Sequence, residues 1–116
     1  MSILKVGAIQ NTSGVEVYTA KAWVNFNGTG TVAIRASGNV SSITDNGTGN
    51  YFINFTTALA DANYAWGGSS QWSTGATVRA IFTDTSTLPS TTRLRVQNSN
   101  YVSAEDPSYA SVVVFR

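Results

Sequence analysis

The chain has 116 residues and a mass of 12.3 kDa, which suits one domain with a hydrophobic core of its own. Only 11% of the residues are charged and the formal net charge is +1, so no strong field favours nucleic acid or an anionic membrane. The sequence contains neither cysteine nor histidine, which excludes disulfides, thiolate metal sites and the Ser/His/Asp and Cys/His catalytic arrangements.

The first 14 residues are predicted to form an N-terminal arm or a short edge strand. The arm begins with the apolar residues Ile3, Leu4 and Val6, and its segment 10–14 (Gln-Asn-Thr-Ser-Gly) is a polar turn. It lacks the long apolar core of a signal peptide, and no run in the chain approaches transmembrane length. We therefore expect folding in a cytoplasm without membrane insertion. Residues 15–116 are predicted to form a single domain.

Two hairpins with the same turn sequence follow the arm. Apolar runs flank Asn-Gly-Thr-Gly at 27–30 and again at 46–49. Asn-Gly between apolar runs is the strongest short-range hairpin signal, because both residues tolerate positive φ. We expect one antiparallel meander over 21–57, with positive φ at Gly28 and Gly47. Alternation with period two predicts these inward residues: Val24, Phe26, Val32, Ile34, Tyr51, Ile53 and Phe55.

The second half of the chain is predicted to alternate between short strands and loops. The predicted strands are 64–66, 76–83, 93–97 and 111–116, and the main loops are 67–75, 84–90 and 98–108. Phe82, Leu94 and Val96 are expected to point inward. No apolar period of 3.6 residues extends over three turns. About eight short strands separated by turn signals predict an all-β fold, an antiparallel β-sandwich of the jelly-roll-like or Greek-key kind.

The acidic residues do not suggest a catalytic pair. They are Glu16, Asp45, Asp61, Asp84, Glu105 and Asp106. Asp45 and Asp61 suit turn positions. Glu105 and Asp106 could cap a turn or bind a cation together with loop carbonyls, but a solvated loop is favoured. No glycine pattern opens a helix that could hold a phosphate. We therefore predict no enzymatic activity, no cofactor and no metal site.

Three aromatic residues in or near the loops are candidate ligand-binding residues. Trp66, Trp72 and Tyr101 could each stack on a sugar, or could fold back as a lid over the core.

Two further rings point away from the predicted core. Trp23 and Phe52 lie opposite the inward residues of their strands, so they belong either to a fold covered on both faces or to an intersubunit contact. Ile3 and Leu4 of the arm could close over the same seam. A homotrimer is predicted, with an interface that contains these four residues.

The chain up to Tyr64 resembles a module of tailed-bacteriophage virion proteins. The similarity is carried by 4–6 (Leu-Lys-Val), 9–14 (Ile-Gln-Asn-Thr-Ser-Gly), 21–30 (Lys-Ala-Trp-Val-Asn-Phe-Asn-Gly-Thr-Gly) and 55–64 (Phe-Thr-Thr-Ala-Leu-Ala-Asp-Ala-Asn-Tyr). In that family the module occurs in tail-fibre proteins, often of marine or cyanobacterial phages and prophages, and in short virion proteins of unassigned role. The resemblance implies a non-enzymatic β-domain that trimerises, although this chain has no long fibre shaft.

The expected function is that of a virion structural protein, a tail-fibre-like adhesin module that contacts the host surface and its glycans. The alternative is a capsid or tail decoration or cement protein with no receptor role. Both functions place the protein in the virion, assembled in the bacterial host cytoplasm among other virion proteins. Neither function requires nucleic acid, membrane insertion or a cofactor.

Overall fold

The computed structural model describes residues 9–14, 18–72, 79–83, 86–100 and 102–116. These residues form eight β-strands and no helix, and so no helix among them could cross a membrane. The strands are β1 Ala22–Asn27, β2 Ala33–Gly38, β3 Val40–Asp45, β4 Asn50–Phe55, β5 Ala65–Gln71, β6 Arg79–Phe82, β7 Arg93–Asn100 and β8 Tyr109–Phe115. The all-β prediction of about eight strands is confirmed. Ile3, Leu4 and Tyr101 lie outside the described residues.

The strands form two antiparallel four-stranded sheets. The order is β2-β1-β8-β5 in the first sheet and β3-β4-β7-β6 in the second sheet. Consecutive strands β2 and β3 lie along one side of the sandwich, and β5 and β6 lie along the other side. This arrangement confirms the predicted antiparallel β-sandwich.

Both Asn-Gly-Thr-Gly hairpins are present, but they belong to different sheets. β1 pairs with β2 and β3 pairs with β4, each in antiparallel register, as predicted. The prediction of a single meander over 21–57 is wrong, because the chain crosses from the first sheet to the second between Gly38 and Val40.

Asn39 forms the corner at which the chain changes sheets. Its φ is 54°, which an asparagine tolerates better than most residues. Its amide Nδ2 donates to the carbonyls of Lys21 at 2.9 Å and Thr57 at 3.1 Å, and its Oδ1 accepts from the Thr57 N–H at 2.7 Å. The side chain therefore ties the corner to the residues that flank β1 and β4.

The two turns use their glycines differently. φ is positive at Gly47 (119°), as predicted, and also at Gly30 (60°) and Gly49 (63°). The prediction of positive φ at Gly28 is wrong. Gly28 is needed for close packing instead, because a Cβ at this position would lie 2.5 Å from the Tyr51 hydroxyl oxygen.

The core lies between the sheets and is built by alternate residues of the strands. The buried apolar residues of the central strands are Ala22, Val24, Phe26, Tyr51, Ile53, Phe55, Leu94, Val96, Ala110, Val112 and Val114. Phe26 meets Tyr51 edge to face with ring centroids 5.2 Å apart, and Phe55 meets Tyr64 in the same way at 6.0 Å. The inward directions predicted for β1, β4 and β7 are confirmed.

Three predictions for the second half of the chain are wrong. The predicted loop 98–108 begins too early, because β7 continues to Asn100 in its pairing with β6. Phe82 is exposed, and Ile81 packs against the core in its place. Arg79 lies on the same side of β6 as Ile81, and its ion pair with Glu105, 2.9 Å long, supports this register. The predicted loop 67–75 contains most of β5, which runs to Gln71 because its backbone pairs with β8 along seven residues.

Candidate functional site

The predicted ligand-binding residues Trp66 and Trp72 lie in different surroundings. Trp66 is partly buried and packs against the core, as a lid would. Trp72 is half-buried after the end of β5, with the Arg79 guanidinium carbon 5.5 Å from its ring centroid. Tyr101 is not among the described residues. Trp66 therefore contributes to the core, and neither Trp66 nor Trp72 lines the groove described below.

Trp23 and Phe52 lie on opposite outer faces of the sandwich. Trp23 is on β1 of the first sheet, and Phe52 is on β4 of the second sheet. The Arg93 guanidinium carbon lies 3.8 Å from the centroid of the Phe52 ring and covers part of it. The two rings thus do not share one continuous surface, as a common seam would require.

An open groove of about 530 Å³ runs along the outer face of the first sheet. Its lining residues include Trp23, Asn25, Gly67, Ser69, Ser111 and Val113. The register places Val113 between Trp23 and Gly67, and Ser111 between Asn25 and Ser69. Small residues on β5 and β8 leave the space, and the indole of Trp23 borders it. We call this feature the Trp23 groove.

The Trp23 ring is held in place by a glycine on the neighbouring strand. Gly38 is the cross-strand partner of Trp23, and a Cβ at Gly38 would lie 2.8 Å from the indole Cδ1. The ring therefore lies directly against the backbone of β2. The side chain nevertheless remains 43% exposed, so an aromatic surface of fixed position is available to a ligand.

A chain of polar contacts leads from the groove to Arg35 on β2. Asn25 donates from Nδ2 to Ser111 Oγ at 3.2 Å and accepts on Oδ1 from Arg35 Nη1 at 3.3 Å. Arg35 Nη2 also donates to the Ser108 carbonyl at 2.6 Å. The guanidinium carbon lies 3.8 Å from the centroid of the Tyr109 ring, a cation–π geometry. These contacts fix the guanidinium on the outer face.

Arg35 is the only charged residue in the four strands of the first sheet. The described acids are engaged elsewhere. Asp61 pairs with Arg116 at 2.7 Å, and Glu105 pairs with Arg79. The outer face of the first sheet therefore carries aromatic, aliphatic and small polar side chains, with one positive charge.

The sequence predicts only part of this site. The alternation of β1 predicts that Trp23 points outward, but the glycines and serines from Gly67 to Gln71 predict a loop. Only its placement beside β8 reveals that Gly67 and Ser69 form the far side of a groove.

The predicted turn at Glu105 and Asp106 is tied to the body of the sandwich. Asp106 Oδ1 accepts from the Gly49 N–H at 2.8 Å, and the Glu105 N–H donates to the Asn98 carbonyl at 3.1 Å. In the described part of the chain, no group of three or more Asp, Glu, His and Cys side chains could hold a metal ion. These two acids stabilise the loop before β8.

No protein-family model, no curated protein and no solved structure matches this chain.

Proposed function

We propose that this chain is a non-enzymatic structural module of a bacteriophage virion, a tail-fibre-like adhesin that contacts glycans of the host surface through the Trp23 groove. The observation that carries the proposal is a half-exposed, fixed indole on the border of an open groove that is lined by glycine and valine residues and by the polar side chains of Asn25, Ser69 and Ser111. The resemblance of the first 64 residues to phage virion modules supports the assignment to a virion.

The groove has the chemistry that a sugar ring requires. One face of a pyranose ring presents C–H groups, which pack well on an aromatic ring, and its hydroxyls need donors and acceptors nearby. Trp23 supplies the aromatic surface. Asn25, Ser69 and Ser111 supply amide and hydroxyl groups within the same groove.

The test is binding to an array of bacterial capsular and lipopolysaccharide glycans. We expect the parent protein to bind at least one glycan, and Trp23→Ala to abolish that binding. Gly67→Leu should also abolish it by filling the groove. A Cβ at Gly67 meets no atom within 4 Å, so this substitution leaves the fold intact.

Thr44→Leu is the matched control, because it adds an apolar side chain to an exposed strand position of the second sheet. It should leave glycan binding unchanged. Sedimentation of Trp23→Ala should equal that of the parent protein. A shift of this variant to a smaller species, without glycan binding by the parent, would show that Trp23 is a subunit contact and would overturn the assignment.

A capsid or tail decoration protein is the second candidate, and the exposed edge of β5 favours it. β5 pairs with β8, and no other described strand pairs with its opposite edge. Its sequence, Ala-Trp-Gly-Gly-Ser-Ser-Gln, lacks the charged residues and prolines that protect most edge strands. Such an edge can accept a strand from another protein. Under this proposal the homotrimer, or the contact with other virion proteins, forms along β5.

This second proposal predicts a change in assembly when the edge is charged. Ala65→Lys combined with Gln71→Lys should shift the protein towards monomer in analytical ultracentrifugation. Thr48→Lys combined with Thr56→Lys adds the same charge at exposed turns and should have no effect. Equal sedimentation of the parent and the edge variant would exclude this edge as the contact.

A further inference from the structure

We infer that the ligand of the Trp23 groove is an acidic glycan, whose sugar ring stacks on Trp23 and whose carboxylate binds Arg35. The inference rests on the adhesin function proposed above and adds the charge of the ligand. Asn25 connects the two contacts, because it lines the groove and also accepts a hydrogen bond from Arg35.

The Arg35 guanidinium has the capacity to bind a carboxylate. It has five N–H donors, and two of them are used, one for Asn25 and one for the Ser108 carbonyl. No carboxylate among the described residues contacts it. A planar guanidinium with free neighbouring donors binds a carboxylate through two parallel hydrogen bonds.

The position of the guanidinium is set before any ligand arrives. Its carbon is held 3.8 Å from the centroid of the Tyr109 ring, and the Ser108 carbonyl accepts from Nη2 at 2.6 Å. Binding of a ligand therefore costs little side-chain entropy at Arg35, because the side chain is already ordered. The Tyr109 ring is 47% exposed and adds a second aromatic surface beside the charge.

The charge distribution of the sheet favours an acidic ligand over a neutral one. No Asp or Glu occurs in the four strands of the first sheet, so no negative charge there would repel a carboxylate. The single positive charge of the sheet is the one that the groove reaches through Asn25. The groove and the charge together select a sugar that carries a carboxylate.

The test compares each acidic glycan with its own methyl ester, which keeps the sugar ring and removes the charge. The probes are oligogalacturonate, oligomannuronate and sialyllactose, measured by isothermal titration calorimetry. We expect at least one acid to bind about tenfold or more tightly than its ester. Arg35→Gln should remove this preference, and Arg35→Lys should retain only part of it because lysine lacks the planar fork. Trp23→Ala should weaken binding of the acid and of the ester alike.

Arg93→Gln is the matched control. Arg93 is also an exposed strand arginine whose guanidinium carbon lies 3.8 Å from an aromatic centroid, that of Phe52 on the opposite face. Its replacement should leave the preference for the acid unchanged. Raising sodium chloride from about 50 mM to about 500 mM should weaken binding of the acid to the parent more than to Arg35→Gln, because salt screens exposed charges.

The outcomes separate this inference from the proposed function. If the parent binds the esters as tightly as the acids, and Trp23→Ala abolishes both, the adhesin function stands and the acidic ligand is excluded. The same conclusion follows if Arg35→Gln keeps the full preference for the acid. If no glycan on the array or among these probes binds in a Trp23-dependent way, the proposed function itself fails.

Discussion

The Tyr51 hydroxyl donates a hydrogen bond to Asp106 Oδ1 at 2.7 Å, although the two residues are 55 positions apart in the sequence. The same carboxylate oxygen accepts from the Gly49 N–H at 2.8 Å, and the Tyr51 hydroxyl lies 3.3 Å from the Gly28 carbonyl. The contact therefore joins both Asn-Gly-Thr-Gly turns to the loop before β8.

Removing the Asp106 carboxylate should destabilise this end of the sandwich. We expect Asp106→Ala to lower the free energy of unfolding by about 2–4 kcal/mol, because it removes the acceptor of the Gly49 N–H and leaves the Tyr51 hydroxyl only the longer contact with the Gly28 carbonyl. Asp106→Asn keeps an acceptor oxygen and should cost less. Urea denaturation of the three proteins measures the difference, and equal midpoints would show that the contact does not stabilise the fold.

Alanine at Gly28 and at Gly47 should destabilise for different reasons. Gly28→Ala places a Cβ 2.5 Å from the Tyr51 hydroxyl oxygen and 2.8 Å from Pro107 Cδ, so we expect a loss of about 1–3 kcal/mol from overpacking. Gly47→Ala meets no neighbouring atom within 4 Å, but its φ of 119° is costly for any residue with a Cβ, by about 1–2 kcal/mol.

A double-mutant cycle with Tyr51→Phe distinguishes the two causes. Loss of the hydroxyl relieves part of the overlap at Gly28, so the Gly28→Ala penalty should shrink by about 0.5–1 kcal/mol in the Tyr51→Phe background. The Gly47→Ala penalty should be the same in both backgrounds. Additive effects at both glycines would exclude the steric explanation for Gly28.

The corner at Asn39 should depend on both its backbone conformation and its side chain. Asn39→Ala loses three hydrogen bonds and places an alanine at a φ of 54°, so we expect a loss of about 2–4 kcal/mol. Asn39→Gly loses the same hydrogen bonds but adopts positive φ freely, and it should be about 1 kcal/mol more stable than Asn39→Ala. Equal stability of the two variants would show that the backbone conformation contributes nothing.

Alkaline pH should destabilise the protein because two buried tyrosine hydroxyls keep their protons in the folded state. Burial raises the pKa of Tyr64 to about 12, and burial together with the hydrogen bond to Asp106 raises the pKa of Tyr51 well above its ordinary value near 10. The folded state therefore holds protons that the unfolded state releases, so stability is complete below about pH 10 and falls as the pH rises from there through 12.

Thermal melting between pH 8 and about pH 12 measures this loss. The melting temperature of Tyr64→Phe should fall less steeply than that of the parent protein over this interval, because the variant lacks one of the two buried tyrosine hydroxyls. The hydroxyl of Tyr18 is largely exposed, so Tyr18→Phe is the control and should follow the parent curve. If the melting temperature of the parent protein stays constant up to about pH 12, the buried tyrosines do not cause a loss of stability.

The hairpins and the core were predictable because each depends on neighbours in the sequence. Asn-Gly turns fix local pairing, and the alternation of Val24 and Phe26 or of Ile53 and Phe55 fixes the inward side once one face is buried. The crossing at Asn39 was not predictable in this way. A single residue at positive φ takes the chain from the sheet of β1 and β2 to the sheet of β3 and β4, and no apolar pattern marks it.

The candidate site was only partly predictable for a related reason. Trp23 was predictable because it is a large aromatic residue at an outward position of β1. Gly67 and Ser69 carry no apolar signal, and their strand exists because the backbone of β8 provides partners. No pattern in the sequence marks Arg35, because its partners Asn25 and Tyr109 lie on two other strands.

The pairing of Ala22 with Val114 places the start of β1 beside the end of β8, and the Lys21 N–H donates to the Val114 carbonyl at 2.8 Å. The start of β1 and the end of β8 therefore lie side by side, at the end of the sandwich opposite the two Asn-Gly-Thr-Gly turns. A carrier protein could accept this domain as an insertion within one of its own surface loops, with little strain on either junction. The glycine turns would then point away from the carrier, and the Trp23 groove would run along the flank of the inserted domain.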